Sequence, residues 1–157
     1  MIIEVGQPAP DFTLLDTVRK PRSLSKFRGK KVVLAFFCGA FTTVCTKELC
    51  TVMDNIEKLS ALGAQVVAVS VDSPFANMAF AEKNGLAFPL LSDYARDVVN
   101  RYGIPLNNFA DMQGYVAAKR SVFILDEEGV VRYKLVSDDP AVEPNYQELA
   151  AALEKIP

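Results

Sequence analysis

The 157-residue sequence contains no histidine and no tryptophan. Without histidine there is no Ser-His or Cys-His triad, no imidazole general base, and no His-ligated zinc or haem. Acid–base or nucleophilic chemistry must come from cysteine, carboxylates, lysine, tyrosine or hydroxyls. An excess of one charge is lacking too. The 17 basic and 19 acidic residues leave a formal net charge of −2, so no nucleic-acid or membrane partner is expected. The longest strongly apolar run, Val32 to Cys38, is far short of the roughly 20 residues a spanning helix needs. The opening MIIEVGQPAPDF has neither a basic n-region nor an apolar h-region, so no signal peptide and a cytoplasmic location are expected. Apolar side chains are plentiful. Half the residues are hydrophobic and 23% charged, which fits a single domain over residues 1–157 with a substantial core.

The order of elements follows from the hydrophobic pattern. Phe12–Leu15 reads as an edge strand behind the turn-rich Gly6–Pro10. Seven basic residues lie between positions 19 and 31; with almost no interleaved aromatics they read as a solvated loop rather than a nucleic-acid patch. Val32–Phe37 is a continuous apolar run, the mark of a strand buried on both faces. Residues 43–62 are expected to form a helix, with Leu49, Val52, Ile56 and Leu59 on one face and Gly63 ending it. Val66–Val71 is a second buried strand. Pro74–Asn84 is a helix opened by proline and closed by Gly85. Phe88–Leu91 is a short extended piece, Arg96–Tyr102 a short helix, and 104–118 a loop. Ser121–Leu125 and Val130–Val136 form a hairpin about Asp126–Gly129, and Pro144–Lys155 is a closing helix. Alternation of strand and helix predicts a parallel pair, and the hairpin adds antiparallel strands. The fold class is α/β, a mixed central sheet with helices on both faces, as in the thioredoxin-like arrangement.

The three cysteines, Cys38, Cys45 and Cys50, fall within 13 positions. A disulfide scaffold would spread an even number over the chain, so clustering points to local chemistry; three buried small hydrophobes is the plain alternative. A metal site is not expected, with three thiols and no histidine. Cys45 falls in the first turn of the 43–62 helix, where Thr42 and Thr43 are candidate N-caps. Unpaired amides and the positive helix end there favour thiolate over thiol. Leu49, one turn on, places Cys45 on the face toward the body of the protein. Cys50 lies five positions further. In a whole helix such a pair is turned by about 140° with Cα atoms about 8.7 Å apart, beyond the roughly 7 Å limit of a disulfide. A Cys45–Cys50 bond would require the first turns to unwind.

The segment FFCGAFTTVCTKELC resembles the active site of the peroxiredoxins, thiol peroxidases on a thioredoxin fold. Of their pattern Pro-x-x-x-Thr-x-x-Cys, Thr42 and Cys45 match, and Glu48 fills the acidic or amide position three residues on. RSVFILDEEG resembles the family's Arg-x-x-Phe-x-x-Asp strand, and GQPAPDFTLLD its N-terminal segment. The similarity runs from about residue 6 to 136. Cys50 resembles the second cysteine of the peroxiredoxin Q or bacterioferritin comigratory subgroup. The resemblance implies that Cys45 is the peroxidatic cysteine, Cys50 the resolving one, and Thr42, Arg120 and Glu48 its supports. It also implies a hydroperoxide substrate, a thioredoxin or glutaredoxin-like reductant, no bound cofactor, and a monomer or homodimer. One departure stands out: Cys38 replaces the family's proline. It is a passive side chain, an alternative resolving thiol, or a sign of lost activity; Thr42 and Arg120 argue against the last.

Acidifying Cys45 cannot by itself explain peroxide reduction. Lowering a thiol pKa from about 8.5 to about 6 raises the thiolate fraction at pH 7 about 30-fold. Nucleophilicity falls with pKa and takes back about 13-fold. The larger effect must come from donors placed for charge developing on the peroxide oxygens, here Thr42, Arg120 and the amides near Val44 and Cys45. Arginine stays charged and donates from a fixed fork, and Glu48 would hold that fork. Outside the family pattern, Arg120 reads as an exposed strand-end charge and Thr42 as a simple cap. Two other functions share some of these residues. A disulfide reductase of thioredoxin type lacks its Cys-x-x-Cys here. A redox sensor or chaperone would need Cys45 and Cys50 but not Arg120 and Thr42.

Overall fold

The computed structural model describes residues 2–157. Seven strands make one mixed sheet. In chain order these are β1 (Thr13–Leu15), β2 (Pro21–Ser23), β3 (Lys31–Phe36), β4 (Ala64–Ser70), β5 (Leu90–Ser92), and, after a separate two-strand ladder of β6 (Pro105–Leu106) and β7 (Ala117–Ala118), β8 (Ser121–Leu125) and β9 (Val131–Val136). The spatial order is β2-β1-β5-β4-β3-β8-β9. Strands β3, β4 and β5 are parallel, and β8 returns antiparallel to β3. The helices are α1 (Thr43–Asp54), α2 (Ile56–Ala61), α3 (Pro74–Asn84), α4 (Asp97–Arg101) and α5 (Tyr146–Lys155). Among the described residues no helix is long and apolar enough to cross a membrane.

The central strands are apolar throughout because both faces of the sheet are covered. Val32, Leu34 and Phe36 of β3 join Val67, Val69, Phe123 and Leu125 in one core layer, with Val98, Val99 and Tyr102 from the α4 region. Val33 and Phe37 point the other way, with Val66, Ala68, Val122 and Ile124, into a layer closed by Leu49 and Val52 of α1, Phe80 of α3, and Leu149 and Leu153 of α5. Helices thus lie on both faces, as the period-two alternation requires.

Some boundaries differ from the sequence expectation. The 43–62 helix is two helices broken at Asn55, whose side chain turns back to donate to the Thr51 carbonyl at 2.8 Å, an alternative to the helical ladder that asparagine offers. Leu49, Val52 and Leu59 are buried as expected, and Ile56 is half-buried. The edge strand β2 falls in the basic stretch, and the 104–118 segment contains β6 and β7. Both are illegible in the sequence because strands of two or three residues carry no periodicity. The short extended piece shifts to β5, and α5 starts later than Pro144, capped by the Asn145 side chain on the amides of Gln147 and Glu148. Gly85 takes the left-handed conformation that closes α3.

Topology sets the site. Phe36 at the end of β3 pairs with Ser121 at the start of β8. The antiparallel register therefore delivers Arg120, the residue before β8, to the edge from which the chain leaves β3 for α1. Six residues separate Cys38 from Cys45. That turn is fixed from below by Asp72, which accepts the Ala40 amide at 2.8 Å and the Ser70 hydroxyl at 2.8 Å.

Candidate active site

Four side chains with no exposure to speak of meet where β3, β8 and α1 converge: Cys38, Cys45, Glu48 and Arg120, each 2% exposed or less. Nη2 of Arg120 donates to Cys45 Sγ at 3.0 Å and to the Pro140 carbonyl at 2.7 Å. Nη1 donates to Glu48 Oε1 at 2.7 Å. Arg120 is thus no exposed strand-end charge. Glu48 sits three residues after Cys45, nearly one helical turn away, so one guanidinium fork reaches both. The site holds one cation against two groups able to become anions.

The thiol pKa follows from these contacts. Cys45 is brought down from the usual thiol range to about 5, first by a hydrogen bond from the Cys38 thiol. Burial opposes this, and the Arg120 charge and the Gly39 backbone assist. Cys38 is driven the opposite way, by donating to Cys45, by burial and by the charge of its neighbour. Burial pushes Glu48 up to about 7 against the pull of Arg120. We predict that the thiolate absorbance attributable to Cys45, taken as wild type minus Cys45→Ser, appears as pH rises through about 5. Below that midpoint the group binds a proton and the nucleophile is lost. A midpoint near the ordinary thiol value of about 8.5 would contradict the geometry.

Thr42 is the N-cap residue of α1, but its side chain caps nothing. Its hydroxyl lies 2.6 Å from the Gly39 carbonyl and donates there, which commits its one proton to the backbone. The expected capping hydrogen bond is therefore replaced by one that closes the loop under the sulfur. Between them Phe41 adopts a left-handed backbone (φ 66°) with its ring edge-on to Phe80, 5.3 Å between centroids. Such a conformation is costly for a non-glycine residue and persists where its surroundings enforce it. Two polar side-chain atoms of the site, Arg120 Nε and Glu48 Oε2, are buried without a protein partner, so hydrogen-bonding capacity remains for a small polar guest.

Cys50 stands apart. It is half-buried, and its thiol donates to Asn84 Oδ1 at the end of α3, at 3.6 Å. Helix α1 is continuous over both Cys45 and Cys50, and all three cysteines are free thiols. The structure also adds groups the sequence did not flag. The Pro140 carbonyl and Asp72 are both such positioning groups. A backbone carbonyl in an irregular segment has no sequence signature, and in the sequence Asp72 looks like an ordinary strand-end carboxylate.

The AhpC/TSA family model matches residues 5–134. A chloroplastic peroxiredoxin Q from Populus jackii is 41% identical over 130 residues, 83% of this chain and 59% of that protein. A putative peroxiredoxin bcp from Coxiella burnetii is 40% identical over 131 residues, 83% of this chain and 87% of that protein. The chain thus spans about three fifths of the length of the plant relative and most of the bacterial one. The crystal structure of peroxidoxin BcpB from Mycobacterium tuberculosis superposes with a TM-score of 0.86 at 29% identity, covering 99% of both chains.

Proposed function

The chain belongs to the AhpC/TSA family, and on that premise we propose that it is a thiol-dependent peroxidase reducing hydrogen peroxide and organic hydroperoxides. The observation that carries this reading is the Arg120 guanidinium, 3.0 Å from a buried Cys45 sulfur and fixed by Glu48. A redox sensor has no need of such an arrangement. The Cys45 thiolate attacks one peroxide oxygen in line. The O–O bond breaks, Cys45 becomes a sulfenic acid, and the other oxygen leaves with the bonding pair as hydroxide or alkoxide and takes up a proton.

The magnitudes say which feature matters. Moving a thiol from pKa 9.0 to about 5 multiplies the thiolate at pH 7 about 100-fold, yet costs about 60-fold in nucleophilicity. The net gain is about twofold. Rate must come chiefly from Arg120, a donor already in position and shielded from water, where it is worth far more than in bulk solvent; the Thr42 hydroxyl joins it by turning from the Gly39 carbonyl.

Cys50 then resolves the sulfenic acid. Its thiol condenses with Cys45, forming a Cys45–Cys50 disulfide and water, after the first turns of α1 unwind to close a gap that the whole helix keeps open. An external dithiol, thioredoxin or a glutaredoxin-like protein, reduces the disulfide. The protein acts as a monomer or homodimer in the cytoplasm, in antioxidant defence and redox homeostasis. Cys50→Ser is expected to oxidise Cys45 at the wild-type rate with the first equivalent of peroxide, yet to lose thioredoxin-driven turnover. The first is read by stopped-flow, the second by coupled reductant consumption. Undiminished turnover in this variant would remove Cys50 from the cycle.

A further inference from the structure

Cys38 is a buried free thiol left without work by the scheme above. It lies in the same core layer as Cys45, across a six-residue turn, close enough that each thiol shifts the titration of the other. Cys50, by contrast, is turned toward α3 and reaches Cys45 only after the helix opens. Of the two other thiols, the one beside a newly formed sulfenic acid is therefore Cys38.

We propose that Cys38 is a first resolving residue, which forms a disulfide with oxidised Cys45 inside the folded site before Cys50 takes it over. The inference rests on Cys45 being the peroxide-reducing cysteine. In the first step the Cys38 sulfur attacks the Cys45 sulfur of the sulfenic acid. The S–O bond breaks, the S–S bond forms, and the departing hydroxide leaves as water with the Cys38 proton. In the second step, once α1 loosens, Cys50 attacks Cys45 in ordinary thiol–disulfide exchange. A Cys45–Cys50 disulfide forms, and Cys38 leaves as a thiolate that regains a proton. No oxidant beyond the peroxide is needed.

The charges of the site put these events in order. While Cys45 is an anion, its hydrogen bond and its charge keep Cys38 protonated and unreactive. Oxidation turns Cys45 into a neutral sulfenic acid and removes both restraints. Arg120 stays, and its charge favours an anion at Cys38. The product of the first step thus lifts the restraints that Cys45 itself imposed, leaving burial to oppose the anion. The first disulfide is buried, out of reach of an external dithiol, so Cys50 is still required for turnover. The gain is protection: the sulfenic acid is captured before a second peroxide can carry it to the sulfinic acid.

Trypsin separates the alternatives, because cleavage after Lys31, Lys47 and Lys58 leaves Cys38 and Cys45 in peptide 32–47 and Cys50 in peptide 48–58. Cys50→Ser is treated with one equivalent of hydrogen peroxide, quenched in acid, alkylated and digested. We expect peptide 32–47 to be unalkylated and lighter by two hydrogens, with an unchanged far-UV circular dichroism spectrum. Rapid quenching of wild type should show this internal disulfide before the cross-link to peptide 48–58. Cys38→Ser should need several-fold less peroxide than wild type to accumulate sulfinic acid. A dimedone-trapped sulfenic acid at Cys45 of Cys50→Ser, beside an alkylated Cys38, would overturn the proposal and leave the peroxidase reading intact. The Cys38→Ser/Cys50→Ser double variant separates the two ideas, since failure to trap any sulfenic acid there would overturn both.

Discussion

Cys45→Ser is expected to reduce peroxide consumption to that of two ordinary thiols, more than about 10²-fold below wild type, because one well-placed donor alone is worth that much. The other cysteines cannot substitute. Burial still holds Cys38 above the usual thiol range, the sulfur that Arg120 contacts is that of Cys45, and Cys50 is turned to Asn84 of α3. Serine is nearly isosteric and leaves the Arg120–Glu48 pair whole, so the variant should fold, with a thermal transition close to that of wild type. Second-order consumption measured at limiting peroxide checks the claim. Residual consumption near the wild-type rate would place the chemistry on another cysteine.

Arg120→Ala is expected to lower the second-order rate by about 10²- to 10³-fold, the usual effect of deleting a preorganised donor to a developing oxyanion. The loss should appear in reaction with peroxide far more than in reaction with a neutral alkylating agent, which expels no oxyanion needing stabilisation. Folding is affected as well. Removing one partner of a buried pair typically costs about 3–5 kcal/mol when the other is left charged. Glu48 has an escape, since burial already brings its carboxyl to about 7, and without Arg120 it binds a proton at neutral pH. Arg120→Ala/Glu48→Gln spares the cost of taking up that proton and should recover much of the stability but none of the rate. An unchanged peroxide rate in Arg120→Ala would refute the electrostatic account.

The sequence reveals most where a single physical pattern dominates. The Val32–Phe37 run can only be a strand covered on both sides, and the spacing of Leu49 and Val52 can only face a core. Cys45 is legible because a cysteine just past a buried strand, in a first helical turn, meets unpaired amides and the positive end of a helix dipole. Arg120 is different. Its neighbours predict a surface charge, and only the family pattern around it marks it as a site residue. What buries it is the β3–β8 register, a long-range fact absent from local sequence. The helix break at Asn55 is hidden because the hydrophobic spacing continues across it. Thr42 reads as a cap because threonine before a helix usually is one; here its hydroxyl turns toward Gly39 instead.

The seating of Arg120 has a consequence for recycling. The arginine belongs to the sheet and stays put, whereas both its acidic companions, Cys45 and Glu48, ride on the opening turns of α1. Were those turns to come away to join Cys45 with Cys50, as proposed, the guanidinium would lose both anionic partners and keep only the Pro140 carbonyl, at a cost of several kcal/mol. The disulfide form would in that sense be a cocked spring. Part of the energy released by peroxide would be held as an unmatched positive charge, and cutting the disulfide would let the helix recoil onto it without further help.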